Sequence, residues 1–131
     1  QYSRSYIYTT ALPPAIAAAT IASLKIVREE TWRRDKLAHL IAHFRRGAVQ
    51  IGLQLAESNT PIQPVLINDD EKVMQVGQKL RAAGFLVGAI RPPTVPVGTG
   101  RLRITFSADH SEEQVDKLVA ALDSLNLSAA V

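Results

Sequence analysis

The sequence predicts an α/β (α+β) two-layer sandwich: a small, mostly antiparallel sheet of about three strands with helices on one face. Three patterns predict it. Four segments repeat apolar residues at helical spacing, three short runs have the alternation or apolar content of strands, and the last of these is apolar on one side only. A sheet with one apolar side takes helices on that side and leaves the other open. The elements follow in the order α, α, β, α, β, β, α, with no internal repeat.

Pro13 and Pro14 suit the first turn of a helix that runs to about Glu29. Its apolar run, residues 15–24, "AIAAATIASL", stops at Lys25 and has ten residues, against the ~20 a membrane span requires. It is expected to be a buried, alanine-rich helix that packs closely. The second helix, from about Thr31 to Leu53, places Leu37, Leu40, Ile41, Phe44, Ala48 and Ile51 at offsets 0, 3, 4, 7, 11 and 14, which is one apolar stripe. Residues 58–61, "SNTP", form a loop, and residues 62–68 a strand whose Pro64 directs it to a sheet edge or confines the proline to its first residues. Asn68 is the expected N-cap of a helix with Val73, Val76, Gly77 and Leu80 inside, ended by Gly84. Residues 85–90, "FLVGAI", are a buried strand.

After a Pro/Gly-rich loop over residues 91–100, residues 101–107 alternate strictly. Leu102, Ile104 and Phe106 share one face; Arg101, Arg103, Thr105 and Ser107 share the other. Ser111 with Gln114 forms a capping box ahead of Val115, Leu118, Val119, Leu122 and Leu125.

At 131 residues with 47% hydrophobic content the chain is one domain's worth and can bury a core. Absence of cysteine excludes disulfides, a zinc knuckle and a thiol nucleophile, and agrees with a cytoplasmic location. The chain starts at Gln1 and shows no charged segment followed by a small-residue cleavage site, so it is expected to be a piece of a longer protein and not a secreted or membrane one. The net charge of +3 brings basic clusters at Arg33, Arg34 and Lys36 and at Arg45 and Arg46. With 5% aromatics and Glu29, Glu30 and Asp35 interleaved, they read as a solvated helix face and not a nucleic-acid surface.

His39 and His43 stand at i and i+4 in "HLIAH", but the glutamate of a zinc-hydrolase helix is absent and no third ligand is apparent, so no metal is expected and packing or surface roles are. His110, just before a helix, is accounted for by a local hydrogen bond. "GTG" at 98–100 is too short for a phosphate loop. The open face is the informative one. Arg101 and Arg103 cannot be buried there without a carboxylate or phosphate partner, so solvent or a partner surface covers them, and Arg91 joins them from twelve positions before Arg103. Physics alone favours surface ion pairing for Arg91 and Arg103, since two arginines and a loop specify little.

The run "AIRPPTVPVGTGRLRITFSADHSEEQVDKL" resembles the carboxy-terminal signature of the α-oxoamine synthases, pyridoxal-phosphate (PLP) enzymes of fold type I. The opening "SYIYTTALPPAIAAAT" is similar to the family segment joining the large domain to the small one, and the stretch between, with "TPIQPVLIND", is similar throughout. Essentially the whole chain is covered. A full member is roughly three times longer, a two-domain size, so the resemblance implies that residues 1–131 are the C-terminal small domain, with 1–14 as the connecting segment.

"AIRPPTVP" favours the branch of biotin synthesis, in which L-alanine condenses with a pimeloyl thioester, pimeloyl-CoA or pimeloyl carrier protein, with loss of carbon dioxide. By the same resemblance Arg103 holds the amino acid's carboxylate, Arg91 assists or meets the acyl substrate, and Thr94 lines the site. Thr10, and after it Thr9, match a position that reaches the neighbouring subunit's cofactor phosphate in the family homodimer, although both could equally be helix caps. The Schiff-base lysine lies upstream in the family and none of Lys25, Lys36, Lys72, Lys79 or Lys117 matches it. This chain is therefore expected to contain no catalytic residue and to be inactive alone. Glycine-using relatives, aminolevulinate synthase and glycine C-acetyltransferase, share much of the pattern. A stand-alone anion-binding module would explain the arginine face without them.

Overall fold

The computed structural model describes Tyr2, Arg4, Ile7 and residues 10–127. The chain forms two compact units, Gln1–Trp32 and Arg33–Val131.

In the first unit, helix α1 (Pro14–Glu29) starts as expected with proline at its first position, and Pro13 is the N-cap without a side-chain hydrogen bond. The Pro13 carbonyl accepts from Ile16 and Ala17 (3.0 and 3.2 Å), so the first turn closes on backbone alone. The expected burial is not found. α1 buries none of its residues, and Ile21 is 69% exposed. Alanine forms helix by its own propensity; burial needs a covering surface, which composition does not specify.

The second unit holds α2 (Trp32–Gln50, all but its first residue), β1 (Ile62–Leu66), α3 (Asp70–Ala82), β2 (Gly88–Ile90), β3 (Arg101–Thr105) and α4 (Glu112–Ser124). The three strands form one antiparallel sheet in the order β1-β3-β2, the expected two-layer α/β fold. Pro64 is on edge strand β1, opposite Arg103, where its missing N–H breaks no ladder on the outer side. β3 is central. Its Leu102, Ile104 and the following Phe106 are buried with Val65 of β1, against Leu40, Phe44 and Ala48 of α2, Val73, Val76 and Leu80 of α3, and Val115, Leu118 and Leu122 of α4. Each such side chain contributes about 1.5–3 kcal/mol on leaving water. The Phe44 and Phe106 rings meet at 5.2 Å, tilted by 50°.

Several boundaries differ from expectation; α2 ends at Gln50 and not near Leu53, and β1 at Leu66 and not Asn68. Asp69, not Asn68, caps α3: its Oδ1 accepts from Glu71 and Lys72 N–H at 3.0 and 2.9 Å. Asn68 instead turns the chain at φ 57° and donates its N–H to the Gly100 carbonyl. β2 is three residues, not six, because Phe85 N–H bonds back to the Leu80 carbonyl beyond the left-handed Gly84, and Leu86 is left 84% exposed. β3 stops at Thr105 because Ser107 enters a turn and donates its N–H to His110 Nδ1 at 3.0 Å. The capping box of α4 is complete.

Arg45 was grouped by sequence with a solvated face, but the fold uses it inside. Its Nη1 donates to Gln63 Oε1 (2.7 Å) and to the carbonyls of Ala56 (3.2 Å) and Ser58 (3.4 Å). Gln63, fully buried on β1, donates Nε2 to the carbonyls of Ser58 and Thr60. A buried amide is tolerated when its groups are paired, and here α2 and the 56–60 loop pair them.

Gly100 is a close-approach glycine. A Cβ there would lie 3.0 Å from the Asp69 carbonyl oxygen, 3.0 Å from Asp70 Oδ1 and 3.2 Å from Val73 Cγ1. Gly100→Ala is therefore expected to destabilise the second unit by about 1–3 kcal/mol, read as a lower urea midpoint with an unchanged slope. A midpoint equal to wild type would contradict this contact.

Candidate functional site

The face of the sheet away from the helices is set by strand parity. In register across it stand Ile62 with Thr105, Pro64 with Arg103, and Leu66 with Arg101 on the β1 side, then Gly88 with Arg103 and Ile90 with Arg101 on the β2 side. Arg101 and Arg103 are thus the charged groups of an otherwise apolar or hydroxylic surface, and no carboxylate shares the ladder with them.

The two arginines differ. Arg101 is half-buried and donates Nε to the Thr99 carbonyl at 3.1 Å, which ties it to the loop that enters β3. Arg103 is exposed, and among the described residues no ion pair or hydrogen bond engages its side chain. Its Cβ and Nε lie 3.5 Å from where Gly88 would carry a Cβ. The guanidinium stem therefore crosses the missing side chain of Gly88, with the proline ring on its other flank. Such a group, fixed at its base and free at its fork, is suited to planar two-point binding of a carboxylate or phosphate.

Arg91 follows β2 directly, three residues past Gly88, which is roughly 10 Å along the strand direction from Arg103's level. It is exposed, and among the described residues it donates Nη1 only to the neighbouring Pro92 carbonyl, at 3.3 Å. Thr94, also exposed, closes the turn by donating its N–H to the Arg91 carbonyl, with the Pro92–Pro93 peptide cis. The structure thus puts Arg91, Thr94 and Arg103 on one strand-loop-strand segment.

Thr10 belongs to the first unit; it is exposed and does not cap α1, whose N-cap is Pro13. Its hydroxyl has no partner among the described residues. Thr9 lies outside the described residues.

The histidines found packing partners. His39 Nε2 donates to Glu112 Oε1 at 3.0 Å and His43 Nε2 to Asp116 Oδ1 at 2.6 Å, while Arg46 donates to His43 Nδ1. Their rings stack in parallel 6.5 Å apart, so α2 and α4 are joined by two equivalent rungs. Among the described residues no three His, Cys, Asp or Glu side chains group to hold a metal, and no helix is long and apolar enough to cross a membrane. A cavity of about 280 Å³ lies between α4 and the segment at 84–87, lined in part by Phe106 and His110, but it contains none of the arginines.

Two contributors carried little signal in the sequence. Gly88 was visible only as a glycine inside a strand, a general mark of close backbone approach. Asp70 gave none beyond its place among cap-forming residues, yet its Oδ2 accepts the Gly98 N–H at 3.2 Å, across 28 residues.

Comparison with known proteins gives a consistent picture. Residues 1–122 match the family model of the class I and II aminotransferases. The 8-amino-7-oxononanoate synthase of Pseudomonas putida (strain W619) is 61% identical over 93% of this chain, and that of Nitrosococcus oceani 58% identical over 93%. The chain spans 31% and 32% of these relatives, about a third of their length. Among solved structures, a serine palmitoyltransferase from S. paucimobilis carrying a bound PLP–myriocin aldimine superposes with a TM-score of 0.84 at 27% identity, covering 93% of this chain and 31% of that one. The 8-amino-7-oxononanoate synthase of Francisella tularensis superposes with a TM-score of 0.81 at 26% identity, covering 95% and 36%.

Proposed function

The chain belongs to the aminotransferase class I and II family, and on that premise we propose that it is the C-terminal domain of a PLP-dependent C-acyltransferase, an 8-amino-7-oxononanoate synthase. In this reading residues 1–131 are the small domain and residues 1–14 its link to a larger, cofactor-bearing one. The whole protein would condense L-alanine with a pimeloyl thioester in biotin synthesis, as a cytoplasmic homodimer. The alanine Cα–H bond breaks, a carbon–carbon bond forms between Cα and the thioester carbonyl carbon as the C–S bond breaks and the thiolate leaves with a proton, and the Cα–carboxylate bond then breaks to release carbon dioxide, a proton returning to Cα. The observation that carries the reading is Arg103: a guanidinium with no partner among the described residues, on the central strand and laid across Gly88.

PLP, when bound, supplies the sink for negative charge at the amino-acid Cα. What this chain supplies is orientation. Arg103 grips the α-carboxylate with two parallel N–H bonds, which fixes the direction of the Cα–H bond, a gain in effective concentration and alignment that a single-point ammonium cannot match. Arg91 and Thr94, on the loop beside it, would meet the same carboxylate or the acyl chain. Thr10, and Thr9 before it, would each donate a hydroxyl to a phosphate oxygen of the cofactor.

Assay of the intact protein with alanine and with glycine against pimeloyl, succinyl and acetyl thioesters tests the proposal. Turnover is expected with alanine and the pimeloyl thioester, carried on coenzyme A or on a carrier protein. Preference for glycine with an acetyl or succinyl thioester would instead identify one of the glycine-using relatives. The 131-residue chain alone is expected to give no turnover and no covalent PLP after borohydride reduction, since none of its five lysines matches the family's cofactor lysine.

A further inference from the structure

We infer that Asp70 is a positioning residue for this site: through Gly98 it holds the loop that carries Arg91 and Thr94 and leads into Arg103. The inference rests on the carboxylate-binding reading above.

Residues 91–99 make turns among themselves, with Thr94 N–H on the Arg91 carbonyl and Thr99 N–H and Oγ1 on the Pro96 carbonyl. Among the described residues, one hydrogen bond joins residues 92–98 to anything beyond the adjoining Arg91 and Thr99, from Gly98 N–H to Asp70 Oδ2 at 3.2 Å. Only beyond it does backbone take over, where the Gly100 carbonyl accepts from Ile67 and Asn68. Gly98 turns at φ +75°, a conformation that aims its N–H at little cost because it has no side chain.

Asp70 is not placed as an ordinary first-turn acid. Its neighbour Glu71 is exposed, whereas Asp70 is half-buried, and its second oxygen, Oδ1, is buried without a hydrogen-bond partner, 3.0 Å from where a Gly100 Cβ would lie. The carboxylate is wedged between Gly98 and Gly100. Leaving one oxygen unpaired is unfavourable, and the field of the α3 N-terminus offsets part of that. Helix stability alone would be served equally well by an exposed carboxylate. What the burial adds is a fixed loop.

If the anchor is lost, the loop must be ordered when substrate binds, a cost that appears in binding and not in the chemical step. In the intact, PLP-loaded protein, Asp70→Ala is expected to raise KM for alanine about tenfold while kcat stays within about twofold. Amide exchange over residues 92–99 should quicken in the same variant without substrate. Asp70→Asn keeps an oxygen that can accept the Gly98 N–H, so it should restore both readouts. Unchanged KM or unchanged exchange in the alanine variant would overturn the role, as would a joint fall of kcat and melting temperature that asparagine does not repair. Absence of wild-type turnover with every amino acid and thioester would sink the underlying reading and this inference with it. Wild-type turnover with an unresponsive alanine variant would sink Asp70's role alone.

Discussion

In the intact protein, Arg103→Ala is expected to lower kcat/KM for the amino acid by about 10²–10³-fold, the loss that follows when a charged, hydrogen-bonded partner of a carboxylate is removed. Two features of the fold make the loss specific. Arg103 is exposed and engages no other described residue, so its truncation leaves no buried group unpaired and the melting temperature should stay close to wild type. It also stands on the central strand, bonded to neighbours on both sides, so the backbone beneath it has no freedom to compensate. Arg103→Lys should recover only a small part, because an ammonium keeps the charge but loses the two-point geometry. Arg101→Ala is the informative control. That side chain is tied to Thr99, so its loss should disturb loop and stability more than amino-acid binding. Equal amino-acid KM values in the wild type and Arg103→Ala would remove the carboxylate site from this strand.

The largest effect on stability is expected at Arg45. Replacing it with alanine strands Gln63 Oε1, which is fully buried, and takes a charged donor from two loop carbonyls. Nη1 carries two hydrogens for three acceptors, so the shortest bond, to Gln63, dominates. The cost should be about 2–3 kcal/mol, the desolvation of an unpaired buried amide oxygen plus lost packing of the arginine stem. For a unit of this size that is roughly 10–20 °C in melting temperature. The asymmetry of hydrogen-bond energetics provides a sharper test. Gln63→Leu removes the stranded group itself, so the double variant should be less destabilised than the sum of the two single changes, by about 1 kcal/mol or more. Additive effects would mean that Arg45 and Gln63 do not support one another. Arg46, one position along α2, reaches only His43 among the described residues and should tolerate alanine with little change.

These two arginine pairs show where sequence stops. Arg101 and Arg103 have the same parity on one strand, and Arg45 and Arg46 are adjacent on one helix; apart from the family resemblance, no period or spacing marks Arg103 as the unpaired one, and none marks Arg45 as the half-buried one. The same holds for the cap. Asn68, Asp69 and Asp70 are all able to cap a helix, and the choice fell to Asp69 because Asn68 turns left-handed to reach Gly100 and Asp70 is drawn to Gly98. His39 and His43 lacked further ligands in sequence and acquired carboxylate partners 73 residues away, in rungs that fasten two helices.

By itself the sequence determined the order of the seven elements, the inner faces of α2, α3, α4 and β3, the capping box at Ser111, and the motif that names the family. All of these are written in local periods and neighbouring residues, because a helix repeats every 3.6 residues and a strand every two whatever lies beyond. Tertiary structure alone decided that Arg101 and not Arg103 is tied to the loop, which aspartate reaches Gly98, how far β2 runs and that α1 buries nothing. Those outcomes depend on which distant backbone group arrives beside each side chain, and that is set only when the chain closes on itself.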